Sequence, residues 1–211
     1  FKLTYASMFN PPADMHTRFE AALADVKANL GATHDLFIDG RDVPAKAHDT
    51  RKSPIDQRLV TGPFPLATAE DANSAMAAAA KAAPGWRNTP VAERVRLLKK
   101  VARLIEERLF HISAALTLEV GKNRMEALGE VQEIVDTCDF FLGEGRRLYG
   151  QTVPSEMPDK QLFTFRVPVG VAAIFTAGNF PVAVPSWYLV PALLCGNAVV
   201  WKPADYTPAL G

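Results

Sequence analysis

A chain of 211 residues carrying 23 basic and 23 acidic side chains has a formal net charge of +0, and 48% of its residues are hydrophobic. That length suffices for one substantial domain or for parts of two. The balanced charge offers no electrostatic case for nucleic acid or an anionic membrane. The longest apolar stretch, residues 180 to 201, is broken by Pro181, Pro185, Pro191, Gly196 and Asn197, which argues against a membrane span.

The chain opens on Phe1, so further residues are expected upstream, and residues 1 to 30 show no charged-then-apolar leader. Residues 14 to 30 predict a helix, with Asp14 as a cap and Gly31 closing it. LFIDGRDVPA (36 to 45) predicts a hairpin turning at Asp39-Gly40, and the Pro- and Gly-punctuated residues 46 to 68 suit short strands and loops. ATAEDANSAMAAAAKAA (67 to 83) predicts a helix entered by a Thr68/Asp71 capping box and ended by Pro84-Gly85. Residues 90 to 117 predict a second helix started by Pro90, and residues 122 to 148 a third, on which Glu126, Glu130 and Glu133 read as a solvated face. QLFTFRV (161 to 167) alternates as a strand does. Two apolar strands, GVAAIFTA and NAVVWKP, joined by the apolar helix PVAVPSWYLVPALLCG, predict a parallel βαβ unit covered on both faces. Two parallel strands with an open edge do not stand alone. A further strand and helix are therefore expected after Gly211, and the sequence reads as the amino-terminal part of something larger.

Familiar chemical signatures are absent: no GxGxxG, no GxxxxGK[ST], no HExxH. His16, His34, His48 and His111 sit in separate segments, so no metal site is expected. Cys138 and Cys195 are far apart without CxxC spacing; Cys195 reads as a buried small hydrophobe, and a reduced, cytoplasmic setting is the simplest. In an open α/β sheet the ligand crevice lies at the carboxyl ends of the strands, here TAGNFP and WKPADYTP. Asn179 there is either a hydrogen-bond donor into the crevice or the cap of the apolar helix, with Pro181 just inside it. Lys202 and Asp205, three apart, are either a ligand-binding pair or a surface ion pair.

PVGV (168 to 171), NFP (179 to 181), PALLCGN (191 to 197) and KPADYTP (202 to 208), in this order, resemble the aldehyde dehydrogenase superfamily. EVGK (119 to 122), the LFIDGRDV hairpin and the helix entry with Trp86 and Arg94 extend the resemblance over nearly the whole chain. It implies an incomplete aldehyde dehydrogenase fold of class α/β, the start of a Rossmann-like parallel sheet preceded by helices. Residues 1–148 would be the helical and hairpin part of the cofactor-binding domain, 149–168 a β-strand oligomerisation arm, and 169–211 the first βαβ unit of the NAD-binding domain. It implies oxidation of a small-molecule aldehyde to a carboxylic acid through a cysteine thiohemiacetal, in a homodimer or homotetramer.

By the resemblance, Asn179 donates its amide to the oxyanion, and the backbone of Thr176, Ala177 and Gly178 lines the nicotinamide side. Lys202 and Asp205 contact the adenosine ribose. A carboxylate at 205 would repel a 2′-phosphate, favouring NAD, with NADP open. Gly178 stands where the family has Trp or Phe, and Asp205 where Glu is commoner. The family's cysteine nucleophile, glutamate base and second glycine turn lie downstream of KPA[ED] and are not among these residues; neither Cys138 nor Cys195 lies in the nucleophile's motif, and residues 1–211 alone are expected to be inactive. The TYASMFNPP leader and the 119-to-151 segment resemble the branch with 1-pyrroline-5-carboxylate dehydrogenases, which oxidise glutamate γ-semialdehyde. A truncated, non-enzymatic nucleotide-binding or subunit-interaction module is the alternative.

Overall fold

A computed structural model describes residues 10–148 and 150–211; most of the TYASMFNPP leader, and Tyr149 in the predicted arm, lie outside them. Helix α1 (Ala13–Ala28) leads to a hairpin of β1 (Leu36–Ile38) and β2 (Arg41–Val43). Its turn residues Asp39 and Gly40 both have positive φ, 56° and 75°, which is why an Asp-Gly pair stands there. Antiparallel β3 (His48–Lys52) and β4 (Val60–Pro65) follow. Four helices come next: α2 (Ala69–Asn88), α3 (Val91–Glu107), α4 (Leu109–Val120) and α5 (Arg124–Glu144). The short β5 (Thr152–Val153) and β6 (Leu162–Phe163) pair antiparallel, so only two residues of the predicted QLFTFRV strand are strand here. Finally β7 (Val171–Phe175), α6 (Ala183–Leu194) and β8 (Ala198–Lys202) form the expected unit, β7 pairing parallel with β8 from Val171↔Ala198 to Phe175↔Lys202. The described residues thus form a mixed α/β structure with four two-stranded sheets. No helix among them is long and apolar enough to cross a membrane.

The helix boundaries depart from the sequence reading for identifiable reasons. The Thr68/Asp71 capping box forms as predicted, but α2 runs through Pro84 to Asn88. Two groups hold that last turn: the half-buried Trp86 indole N–H donates to the Leu193 carbonyl (2.9 Å), and the buried Arg94 guanidinium donates to the carbonyls of Trp86 (3.4 Å), Arg87 (3.3 Å) and Thr89. Residues 90 to 117 are not one helix. The chain breaks at Arg108 (φ −101°, ψ 13°), letting the amphipathic α3 and the largely buried α4 point differently. The third helix starts only at Arg124, where the Asn123 side chain accepts from the N–H groups of Met125 and Glu126, both at 3.0 Å.

Helix α5 is the central member. One end packs with α1 and α4 through Met15, Phe19, Leu116, Leu128 and Val131, all essentially inaccessible. The other packs Ile134, Cys138 and Leu142 against Leu98 of α3 and Val190 and Leu194 of α6. Each such fully buried aliphatic contributes about 1.5–3 kcal/mol. The sheet faces are less covered than predicted, since Phe175 is exposed and Cys195 is half-buried.

The PALLCGN motif has a local explanation. Gly196 (φ 91°) follows the last turn of α6, its N–H bonding Leu193 O (3.0 Å) while Asn197 N–H bonds Ala192 O (3.0 Å), the pattern of a Schellman cap. Asn197 Oδ1 accepts from Gly170 N–H (3.1 Å), tying the start of β7 to the helix end. Arg94, 5% exposed, donates to Leu194 O (2.9 Å), so one cation sits at the carboxyl ends of both α2 and α6.

A buried acid sits beneath the end of the chain. Glu119, in the last turn of α4, accepts from Ala209 N–H (2.7 Å) in the short helical turn Pro208–Leu210, while its other oxygen is buried without a partner. Burial pushes this carboxyl up to about 7; the N–H groups of Ala209 and Leu210 and the charge of Arg51 oppose that shift. A folded value above the ordinary 4.5 means that folding favours the protonated form. The contribution of this one group to stability is therefore most favourable below about pH 4.5, declines as pH rises toward 7, and is flat beyond, with roughly 3 kcal/mol between the limits. Glu119→Gln should match the parent in urea unfolding near pH 4.5 and exceed its stability at pH 8. Parallel pH profiles for the two proteins would contradict this.

Candidate functional site

Strand β7 ends at Phe175, and the chain turns through Thr176, Ala177, Gly178, Asn179, Phe180 and Pro181 into α6. Asn179 does not cap this helix. The helix begins at Ala183, Val182 precedes it without a side-chain cap, and Pro181 lies outside. The exposed Asn179 amide has no hydrogen-bond partner among the described residues.

The open N–H groups of α6 are capped from a distance. One oxygen of Glu130, on α5, accepts from Val182 N–H (3.0 Å) and Ala183 N–H (3.2 Å). Its second oxygen accepts from Lys122 Nζ (2.5 Å), which also stands 3.5 Å from the centroid of the Phe180 ring. The Glu130 side chain is fully buried and that of Lys122 is 13% exposed. A carboxylate at a helix amino end complements the macrodipole and satisfies two orphan donors. The solvated acidic face predicted for α5 therefore fails at Glu130, while Glu126 is exposed and Glu133 half-buried. Helical spacing carries the signal, because Ala127, Glu130, Val131, Ile134 and Cys138 share one buried stripe.

The opposite wall follows β8. Lys202 and Asp205 form an exposed ion pair, and the hydrogen bond from Lys202 holds the Asp205 carboxyl below the usual carboxylate range. The two walls are joined by Thr176 N–H donating to Lys202 O (3.3 Å) and by Trp201 Nε1–H donating to Thr176 Oγ1 (3.0 Å). Gly178 is buried against Tyr206, and a Cβ at Gly178 would lie 2.5 Å from Tyr206 Cε2 and 3.0 Å from the Ala204 Cβ. Thr176, Ala177, Gly178, Asn179, Lys202 and Asp205 thus lie together at one end of the β7–β8 pair, as the sequence reading expects. It missed Tyr206, Lys122 and Glu130.

The two strand ends bring together an amide without an internal partner, a cation, an ionised carboxylate and a phenol. That donor set suits a polar ligand bearing hydroxyls and phosphates. Cys138 is not a ready nucleophile: it is packed in the core, and burial pushes its thiol up to about 11.

The model of the "Aldehyde dehydrogenase family" matches residues 45–211. An alpha-ketoglutaric semialdehyde dehydrogenase of Bacillus subtilis (strain 168) is 41% identical over 177 residues, 83% of this chain and 36% of that protein. The solved 1-pyrroline-5-carboxylate dehydrogenase from Thermus with bound NAD superposes with a TM-score of 0.89 at 30% identity, over 96% of this chain and 39% of that one. An NADP-dependent enzyme of E. coli superposes with a TM-score of 0.82 at 33% identity, over 87% of this chain and 38% of that one. The chain therefore spans little more than a third of each of these relatives.

Breaking the Lys122–Glu130 pair has a defined consequence. Glu130→Ala leaves a largely buried ammonium and two helix N–H groups unpaired and should destabilise the protein by about 3–5 kcal/mol in urea unfolding. Glu130→Gln keeps an acceptor for Val182 and Ala183 and should fall between. A Glu130→Ala protein within about 0.5 kcal/mol of the parent would contradict the capping role.

Proposed function

This chain belongs to the aldehyde dehydrogenase family, and we propose that it supplies the amino-terminal wall of the cofactor crevice in an NAD-dependent enzyme that oxidises a carboxylate-bearing semialdehyde to the acid. The observation that carries the reading is the meeting of the Asn179 turn with the Lys202–Asp205 pair at the carboxyl ends of two parallel strands. In this reading a cysteine thiolate and a glutamate base outside residues 1–211 perform attack and deacylation, and residues 1–211 alone turn nothing over.

The Asn179 amide, free of internal partners and standing one turn before a buried helix, donates to the oxygen of the thiohemiacetal. A donor fixed in advance needs no reorganisation as charge develops. Lys202 and Asp205 hold ribose hydroxyls, the first donating and the second accepting. Bound NAD supplies the hydride acceptor. An ionised Asp205 disfavours a 2′-phosphate, which supports NAD over NADP. The β5–β6 pair, with exposed Leu162, Phe163 and Phe165, suits an arm that adds to a second subunit in a homo-oligomer.

The substrate class draws support from the relatives, whose names specify alpha-ketoglutaric semialdehyde and 1-pyrroline-5-carboxylate. The open-chain form of the latter is glutamate γ-semialdehyde, so both are five-carbon semialdehydes with a carboxylate at the far end.

Steady-state NADH formation by the whole polypeptide carrying these residues tests the reading. Glutamate γ-semialdehyde and alpha-ketoglutaric semialdehyde should each exceed butanal in kcat/KM, and Asn179→Ala should lower kcat by about 10²–10³. Activity on butanal equal to that on both semialdehydes would remove the substrate class. An unchanged kcat in Asn179→Ala would remove the oxyanion role. Asp205→Asn should narrow the NAD-over-NADP preference in kcat/KM by about fivefold to tenfold, and an unaltered ratio would show that this carboxylate does not select the cofactor.

A further inference from the structure

We propose that Tyr206 is a cofactor-binding residue, its phenol hydroxyl donating a hydrogen bond to the pyrophosphate of the dinucleotide; the assignment rests on the cofactor reading above. Tyr206 follows Asp205 directly, yet its ring folds back across the crevice floor onto Gly178, the residue before Asn179. The atoms that would meet a Cβ at Gly178 are Cε2 (2.5 Å) and Cζ (2.7 Å), so the hydroxyl end of the ring stands over this glycine. A glycine is what allows the approach. A methyl group there would have to expel the ring, since the Ala204 Cβ blocks a second direction at 3.0 Å.

The ring is not hidden by that contact. Tyr206 remains 59% exposed, and its hydroxyl has no hydrogen-bond partner among the described residues. Its place names the ligand portion. One neighbour, Asp205, belongs to the proposed ribose pair, and the other, Gly178, adjoins the amide proposed at the reacting carbon. Between a dinucleotide's first ribose and its reactive ring lie the pyrophosphate and the second ribose, and of these the pyrophosphate is the acceptor-only group that a phenol donor matches.

The test compares binding of ADP-ribose, which contains the pyrophosphate, with binding of adenosine, which does not, by titration calorimetry on the whole polypeptide. Tyr206→Phe keeps the ring and removes the hydroxyl. It should weaken both ADP-ribose and ADP, which has the pyrophosphate without the second ribose, about tenfold and leave adenosine unchanged; a loss confined to ADP-ribose would place the hydroxyl at the second ribose and overturn the assignment. Gly178→Ala, which pushes the ring aside, should weaken ADP-ribose to a similar degree, and the double variant should be no weaker than Gly178→Ala alone. Full ADP-ribose affinity in Tyr206→Phe would overturn the assignment while leaving the cofactor reading intact. Equal losses for ADP-ribose and adenosine would also overturn it, placing the residue at the ribose. An unsubstituted protein that binds none of these compounds would sink the cofactor reading and the assignment together.

Discussion

The junction between α4 and α5, residues 119 to 123, braces both sides of the crevice. Glu119 reaches the turn after β8 through Ala209 N–H, and Lys122 reaches the turn after β7 through Glu130 and the Phe180 ring. Gly121 between them has φ 83°, a left-handed conformation that lets α4 stop within one residue and sends the two side chains to different walls. The turns themselves carry few internal bonds, and α6 enters without a cap of its own. Their geometry is therefore borrowed from a buried ion pair and a buried acid on another element. A buried ion pair such as Lys122–Glu130 is a poor source of net stability, but removing one partner leaves a buried charge unpaired, which opposes any rearrangement that separates them.

Arg94 plays the matching part at the far end of α6. Its fork gathers carbonyls from the last turn of α2 and the last turn of α6, where a lysine could offer only a point charge. Helix α6 is thus held by a carboxylate at its positive end and a guanidinium at its negative end. An apolar helix containing Pro185 and Pro191 has weak intrinsic support. Two charged braces and a Schellman cap fix its register against β7 and β8, and with it the place of Asn179.

How much of this was legible in the sequence follows from which interactions are local. The Asp39-Gly40 turn and the Thr68/Asp71 box are specified by residues within a few positions of one another, and the order of strand, helix and strand in the βαβ unit by one contiguous apolar run; each forms as read. The failures share one cause. Pro84-Gly85 reads as a helix stop until Arg94 and the Leu193 carbonyl hold the turn beyond it. Of the two readings open for Asn179, the cap falls away because Glu130, some fifty residues earlier in the chain, takes that role. Tyr206 is silent in the sequence, and only its approach to Gly178 marks it. Glu130 was the avoidable miss, since its spacing with Ala127, Val131 and Ile134 placed it on the buried stripe.

The central claim is that the two strand ends, braced from one helix junction, form one wall of a dinucleotide crevice. Hydrogen–deuterium exchange on the whole polypeptide with and without NAD tests it most directly. The account predicts slowed exchange at residues 176 to 184 and 202 to 207 on adding NAD, with α1 and the β1–β2 hairpin unaffected. Protein that binds NAD yet shows unchanged exchange at both strand ends would contradict it.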